Sequence, residues 1–501
     1  MKTRAMLLFT ALLSLSPVAR AESFDADAVK KLVQRTLQSW HVPGVAVAIV
    51  RDDKVIYLRG HGVRSVEDGA EVTPDTLFPI ASCTKSFTTT AMALLVDEGK
   101  MNWDDPPRKY VPYFHLSDPL VDREVTLRDL VTHRTGLRDH FLLWYRSPWT
   151  QEERIRRFGR LPLDKPFRTT FQYQSTMFTV AGLAVAKASG MSWADFVRKR
   201  VLDPLDMKAT RLTTTEIVKI ADRASPHQLD DEKKQRLMEP YPMAVPEPAG
   251  SIQSSACDLS KWLLFHLNNK MVDGKPLVSA RNLATTHTPQ IVLRMDAVDR
   301  MMFPETNQMS YGMGWVIQDH FGHRLLQHAG AIDGFRCHFT LVPKARLGIV
   351  LLCNLNQTRM NIALSNGLLD MLLELPHRQQ RDWNAIVHAA ERKDDAEADK
   401  TERENQKHRH LDTQPSRHLA GYIGAYEHPA YGTVRITLEN GRLVWQWNRW
   451  SAALIHYHYD TFTLPVEKMG APRVVFTLDA KGRVARMKVL GNVDVEFQRK
   501  R

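Results

Sequence analysis

The 501-residue sequence predicts an α+β fold: one sheet assembled from both ends of a large domain, a helical lobe inserted between them, and a small all-β domain at the end. Three observations lead there. Strand-like runs occur near residue 50 and return only after Tyr311. The stretch between them is mostly helical in its periodicity, with long irregular connections. Beyond about residue 418, short alternating runs separated by glycine-containing turns take over.

The elements follow in order. A helical segment covers Asp25 to Trp40, and then Val45 to Val50, the polar turn Arg51-Asp52-Asp53-Lys54 and Val55 to Leu58 read as a hairpin. Helical stretches are expected at Phe87 to Val96, Leu127 to Val131, Val180 to Val201 and Asp258 to Leu267. Strands are expected at Gly312 to Ile317, Arg324 to Gln327, Phe335 to Val342 and Gly348 to Cys353, followed by a helix from Ile362 to Leu375. From Asp382 to about Arg417 the chain changes character, with Glu391 to His410 dense in charge, and reads as an exposed helix or a charged linker. Thr433 to Leu438 and Leu443 to Trp447 flank Glu439-Asn440-Gly441; Arg473 to Leu478 and Val484 to Val489 flank Asp479-Ala480-Lys481-Gly482. These two hairpins predict a separate small β domain. Its Trp445, Trp447, Trp450, Tyr457 and Tyr459 read as core and cross-strand pairs, with a carbohydrate-stacking face as the alternative.

Lys2 and Arg4 precede an apolar run from Ala5 to Leu15, and Ala19-Arg20-Ala21 supplies a small-x-small cleavage pattern. A secretory leader over 1–21 is the expectation, and with it a periplasmic or secreted protein. No stretch has the length of a transmembrane helix. With 43% hydrophobic and 25% charged residues the chain can bury a large core, which excludes a disordered protein. The formal charge of +12 comes from scattered residues with no nucleic-acid motif, so a solvated basic surface is expected and no nucleic-acid partner. Four cysteines are too few for a disulfide framework, and no Cys/His spacing resembles a metal site. A hairpin centred on Ala345 would bring Cys337 opposite Cys353. Free buried thiols are still the expectation, because directly paired strand positions rarely meet disulfide geometry without strain.

Ser82-Cys83-Thr84-Lys85 opens an apolar-striped stretch running to Gly99. A serine hydroxyl is a weak nucleophile until a neighbour takes its proton, and a lysine three residues on lies on the same helix face. Two fixed positions alone also arise by chance. Two further segments raise the motif above coincidence: Phe171-Gln172-Tyr173-Gln174-Ser175 before a helix, and His328-Ala329-Gly330 at the end of a strand, followed by Ala331.

In order and spacing these three resemble the signature elements of the serine β-lactamase and penicillin-binding protein superfamily: Ser-x-x-Lys, Tyr-x-Asn or Ser-x-Asn, and Lys-Thr-Gly or its His-x-Gly variant. Thr73 to Ser82, Leu130 to Leu137 and Pro248-Ala249-Gly250-Ser251-Ile252 look like segments of its class C-like branch. The resemblance covers roughly residues 25 to 380. It implies an antiparallel sheet flanked by helices with an all-helical lobe, and the site between them. The domain boundaries expected are then a serine hydrolase domain over 22–381, a charged linker or helix over 382–417, and a β domain over 418–501.

The resemblance further implies that Ser82 attacks a carbonyl to form an acyl-enzyme, that Lys85 accepts a proton or stabilises charge, and that Tyr173 shuttles a proton with a phenol pKa lowered by nearby cations. It places Ser175, His328, Gly330 and Ala331 in substrate binding, His328 holding the substrate carboxylate or else assisting proton transfer, and the backbone N–H groups of Ser82 and Ala331 forming an oxyanion hole. His133 is expected to be structural and bonded to nearby backbone; His61, Asp333 and Arg336 are only guesses at neighbours of the site. No cofactor is implied. The partner is a small-molecule or peptide substrate, peptidoglycan included. Ser175 stands where asparagine is commoner, and His328 stands for the strand lysine, which would make carboxylate binding weaker or pH-dependent near neutrality. Both departures point away from strong β-lactam hydrolysis, and no Glu-x-x-Leu-Asn is present to supply a deacylating glutamate. The leading expectation is an exported serine hydrolase acting on D-amino-acid peptides, peptidoglycan fragments, β-lactams or esters. The alternatives are a penicillin-binding sensor or binding module that acylates without turnover, and a noncatalytic wall-associated protein.

Overall fold

The computed structural model describes residues 24–500 except 270, 273, 377–380, 492 and 493, so the leader expected at 1–21 lies outside the described residues. Helix α1 (Ala26–Ser39) begins where the Asp25 carboxylate accepts the Ala28 N–H, and it buries Val29, Val33 and Leu37, one turn apart. Strands β1 (Gly44–Arg51) and β2 (Lys54–Gly62) form the expected hairpin. Val45 to Val50 are all fully buried. They read as a continuous apolar run because the strand is central and helices cover both faces.

Helices α2 (Thr84–Asp97), α3 (Ser175–Ser189) and α4 (Ala256–Asn268) come next, joined by shorter helical pieces. Then follow β3 (Ile291–Leu293), β4 (Met309–Tyr311), β5 (Val316–His320), β6 (His323–Ile332), β7 (Phe335–Val342) and β8 (Leu347–Cys353). The sheet order is β2-β1-β8-β7-β6-β5-β4-β3, antiparallel throughout. It is closed from the two ends of the domain by β1 pairing with β8, Val45 opposite Cys353. Helix α1 and α5 (Met360–Leu372) cover one face, and α2 and α4 the other.

Three expectations change in detail. β3 and β4 lie before the point where strands were expected to resume; at three residues each they are too short to show a period of two. The stretch Val180 to Val201 is not one helix: Gly190 takes φ +72° and ends α3, and the Ser192 hydroxyl caps a new turn by accepting the Asp195 N–H. Cys337 pairs with Leu352, and Cys353 with Arg336. That single-residue offset puts the two thiols on opposite faces of the sheet, and all four cysteines are free. Cys257 is only partly buried.

The charged stretch is helix α6 (Trp383–Lys407). Its first turns are anchored: Trp383 Nε1 donates to Asp370 at 2.7 Å, Trp40 Nε1 donates to Asn384 at 3.0 Å, and Val387 and Ala390 are buried. The remainder is solvated. Among the described residues no helix is long and apolar enough to cross a membrane.

The C-terminal all-β domain is a single nine-stranded antiparallel sheet whose two edge strands, Trp450–Ala453 and Ile455–His458, are joined through Leu454 alone, so the sheet is nearly closed. Both expected hairpins are present, the first turning through Asn440 and Gly441 at positive φ. Trp445, Trp447 and Tyr457 are buried, as core and cross-strand pairs should be, whereas Tyr459 is half exposed. This domain rests on the helical lobe. The Arg157 guanidinium stacks 3.9 Å from the Trp149 ring centroid and donates to the Ala430 carbonyl, and His140 and Tyr431 share a buried hydrogen bond of 2.9 Å.

Candidate active site

Ser82 sits in a single 3₁₀ turn, Ala81–Cys83, that runs straight into α2. The turn is held from below, where Phe78–Pro79 pair with Gln253–Ser254 and the Ile80 N–H donates to the Ile252 carbonyl. Ala81 takes φ +45°, a conformation costly for a residue with a Cβ and seen chiefly where surrounding structure enforces it. One helical turn later, Lys85 is completely buried, its Nζ 3.1 Å from Ser82 Oγ and 3.0 Å from the carbonyl oxygen of Ala249. The Pro248-Ala249-Gly250 segment therefore supplies the acceptor that orients the amine. Tyr173 Oη lies 2.9 Å from Ser82 Oγ.

Tyr173 is placed by its neighbours in sequence. His133, at φ +57°, accepts the Gln174 N–H on Nδ1 and the Gln172 N–H on its backbone oxygen, and its ring lies 4.4 Å from that of Tyr173. Gln174 then caps α3 through the Thr176 N–H. So His133 has the structural, backbone-bonded place expected of it.

Protonation runs differently from the expectation at two residues. Tyr173 is not an acidified phenol: burial pushes its pKa up, and the hydrogen bond to Ser82 opposes this only in part. It stays protonated. Burial instead lowers Lys85 to about 7, with the charges of Asp139 and Glu247 drawing it partly back. Nearest to neutrality among the groups touching Ser82 is thus the amine. Asp139 is itself lifted to about 6 by burial, against hydrogen bonds from Trp144 Nε1 and the Ser175 backbone.

His328 departs further from its expected part. It is buried, its Nδ1–H donates to the Ala329 carbonyl at 2.8 Å, and its Nε2 accepts from Tyr311 Oη at 3.0 Å. That tautomer follows from the carbonyl, which can only accept. No ring N–H is left for a substrate carboxylate. Burial, then the nearby Lys85 charge, lower its pKa to about 3, so it does not titrate near neutrality. It positions Tyr311 and the strand.

Gly330 explains itself by contact. A Cβ there would lie 2.1 Å from the Ile80 carbonyl oxygen, so β6 can approach the turn carrying Ser82 only without a side chain. Gly330→Ala is expected to lower stability by roughly 1–3 kcal/mol by pushing strand and turn apart, which a melting curve checks. The register exposes the next residue. The two-residue turns closing His320↔His323 and Ile332↔Phe335 mean that odd-numbered β6 residues direct N–H and C=O toward β5 and even-numbered ones toward β7. β5 ends at Val316, opposite Gln327, so the Ala331 N–H points into the open space in front of Ser82.

Ser82, Ser175 and Ala331 line one cleft of about 370 Å³, together with Arg146, Tyr241 and Arg449. The last three were not legible in the sequence. Arg146 is held by Asp333 at 3.1 Å and Glu239 at 3.2 Å, which brings Asp333 to the rim. Glu247 also lines the cleft, bonded to Arg154 and Thr179; its place directly before Pro248-Ala249-Gly250 was the available signal.

The model of the family described as Beta-lactamase matches residues 29–368, and the chain belongs to that family. A second model, "Domain of unknown function (DUF3471)", matches residues 408–501. Among similar proteins are "Unguisins hydrolase ungD'" of Aspergillus campestris, 29% identical over 82% of this chain and 78% of its own length, and "Unguisins hydrolase ungD" of Aspergillus violaceofuscus, 26% identical over 90% and 84%. "Protein flp" of Staphylococcus aureus is 26% identical over 66% of this chain and 63% of its own. In structure, the octameric penicillin-binding protein homologue of Pyrococcus abyssi superposes with a TM-score of 0.63 at 22% identity, covering 95% of this chain and all of that one. That likeness is one of fold: a β-lactamase/transpeptidase-like domain followed by an all-β domain.

Proposed function

We propose that this protein is an exported serine hydrolase that works through an acyl-enzyme on Ser82, with D-amino-acid peptides, peptidoglycan fragments, β-lactams or esters as substrates. The observation that carries the reading is the pair of hydrogen bonds converging on Ser82 Oγ, from an amine desolvated to near neutrality and from a phenol kept protonated. Neutral Lys85 takes the hydroxyl proton as Oγ attacks the carbonyl. The N–H groups of Ser82 and Ala331 receive the developing oxyanion. Tyr173 gives its proton to the departing nitrogen or oxygen and regains one from the Lys85 ammonium. Water then enters from the cleft and releases the acyl group with Lys85 again as base. The relatives named hydrolases support the same class of reaction, and the apolar leader pattern over residues 5–15 supports export.

Mass spectrometry of the protein after benzylpenicillin and after a p-nitrophenyl ester tests this. A mass increase on the Ser82 peptide that decays with product release is the expected result, one that persists identifies an acylated binder without turnover, and no adduct from either compound overturns the proposal. Tyr173→Phe separates the proton donor from the nucleophile. It should cost roughly 10²–10³-fold toward a β-lactam or anilide, whose nitrogen must be protonated to leave. Toward the p-nitrophenyl ester, whose phenolate leaves unassisted, the loss should be several-fold at most.

A further inference from the structure

We propose that the Asn448-Arg449 turn of the C-terminal domain forms a subsite of the Ser82 cleft that binds an anionic group, such as a carboxylate, carried by the substrate. The inference rests on the acyl-enzyme reading of Ser82 and adds to it the charge of the substrate.

Arg449 lines the same cleft as Ser82 although more than 360 residues separate them in sequence. The other charges there are already neutralised. Arg146 is paired with Asp333 and Glu239, and Arg154 with Glu247. His328 is neutral and has no N–H to spare. Among the described residues lining the cleft, Arg449 is the cation for which no carboxylate partner is present, and it is solvent-exposed. A guanidinium facing a cleft without a counter-ion favours a planar oxyanion, which it can hold through two parallel N–H bonds.

The backbone that presents Arg449 is fixed. Trp447 and Trp450 pair across a two-residue turn, with Asn448 at φ +51°. Trp447 is buried, donates its Nε1–H to the Tyr431 carbonyl at 2.8 Å, and packs against Trp149 of the helical lobe at 6.0 Å. The Tyr431 hydroxyl bonds His140, and Arg157 bonds the Ala430 carbonyl. The domain interface therefore sets the position of the turn relative to the nucleophile, leaving only the arginine side chain to adjust. The missing strand lysine has in effect no local successor, and the positive end of the cleft comes from the other domain.

The test uses the full chain and two anionic esters: the p-nitrophenyl monoester of glutaric acid, charged on the acyl side, and 3-carboxyphenyl butyrate, charged on the leaving group. Each is compared with its uncharged counterpart, p-nitrophenyl butyrate or phenyl butyrate, as a ratio of kcat/KM. Arg449→Ala is expected to lower at least one of these ratios about 5- to 20-fold, in line with loss of a charge-assisted pair at a half-open site. Arg449→Glu should lower it further, and 0.5 M salt should weaken it in the unaltered protein. Arg442→Ala, at the other end of the same strand, should leave both ratios where they were. Unchanged ratios in Arg449→Ala, or an equal fall in Arg442→Ala, overturn the subsite. Those outcomes with Ser82 still acylated leave the hydrolase reading intact, whereas cleavage of the esters by Ser82→Ala removes that reading on its own.

Discussion

Ser82→Ala is expected to abolish adduct formation with penicillin and with p-nitrophenyl esters and to reduce turnover by about 10⁴- to 10⁶-fold, the range typical of deleting a nucleophile that acts as one unit with its base. The hydroxyl is the meeting point of Lys85 Nζ and Tyr173 Oη, so no neighbour stands ready to replace it. The adjacent Cys83 thiol points the other way, donating to the His328 carbonyl. The variant should fold normally, because Ser82 opens a helix without serving as its side-chain cap. Stopped-flow acylation together with a melting curve decides the matter. Residual turnover within tenfold of the unaltered protein would mean that another group forms the acyl bond.

The second large effect belongs to Lys85. Its alanine variant should acylate on the order of 10²–10⁴-fold more slowly, the usual contribution of a positioned general base. Lys85→Arg should not recover this, since a guanidinium remains charged throughout the accessible pH range. The reactive form is the neutral amine, which dominates above a pKa of about 7. Acylation should therefore be slow at pH 5.5, rise tenfold per unit well below the pKa, and level off above about pH 8. A profile falling across pH 6 to 8 would contradict the assignment. His328 predicts no feature in that range, because it is held neutral down to about pH 3.

Much of the architecture is legible from local pattern. The unbroken run Val45 to Val50 marks a strand buried on both faces, and Asn440-Gly441 marks a hairpin, because each depends on residues close together in the chain. Short elements escape this reading. β3 and β4 exist because a neighbouring strand offers an edge to pair with, and three residues carry no period of their own. The site divides along the same line. Ser82 and Lys85 are one helical turn apart, so their contact is a matter of spacing; the second and third motifs were legible by resemblance.

What the residues opposite them do was not legible. His328 occupies the place of a substrate-binding cation, yet Tyr311 and the Ala329 carbonyl take both its nitrogens. Tyr173 stands in the expected place with its acidity shifted in the opposite sense.

By itself the sequence determined the central strand, the turn-marked hairpins and the spacing that sets Lys85 on the same face as Ser82, all fixed by helical period, strand alternation and turn chemistry. Tertiary structure alone decided which of these groups carries the proton, that His328 is neutral, and that Arg449 of a separate domain faces the cleft. The reason is physical. Protonation depends on the desolvation and charge brought by residues distant in the chain, and a cleft is the space left between elements that no single one of them encodes.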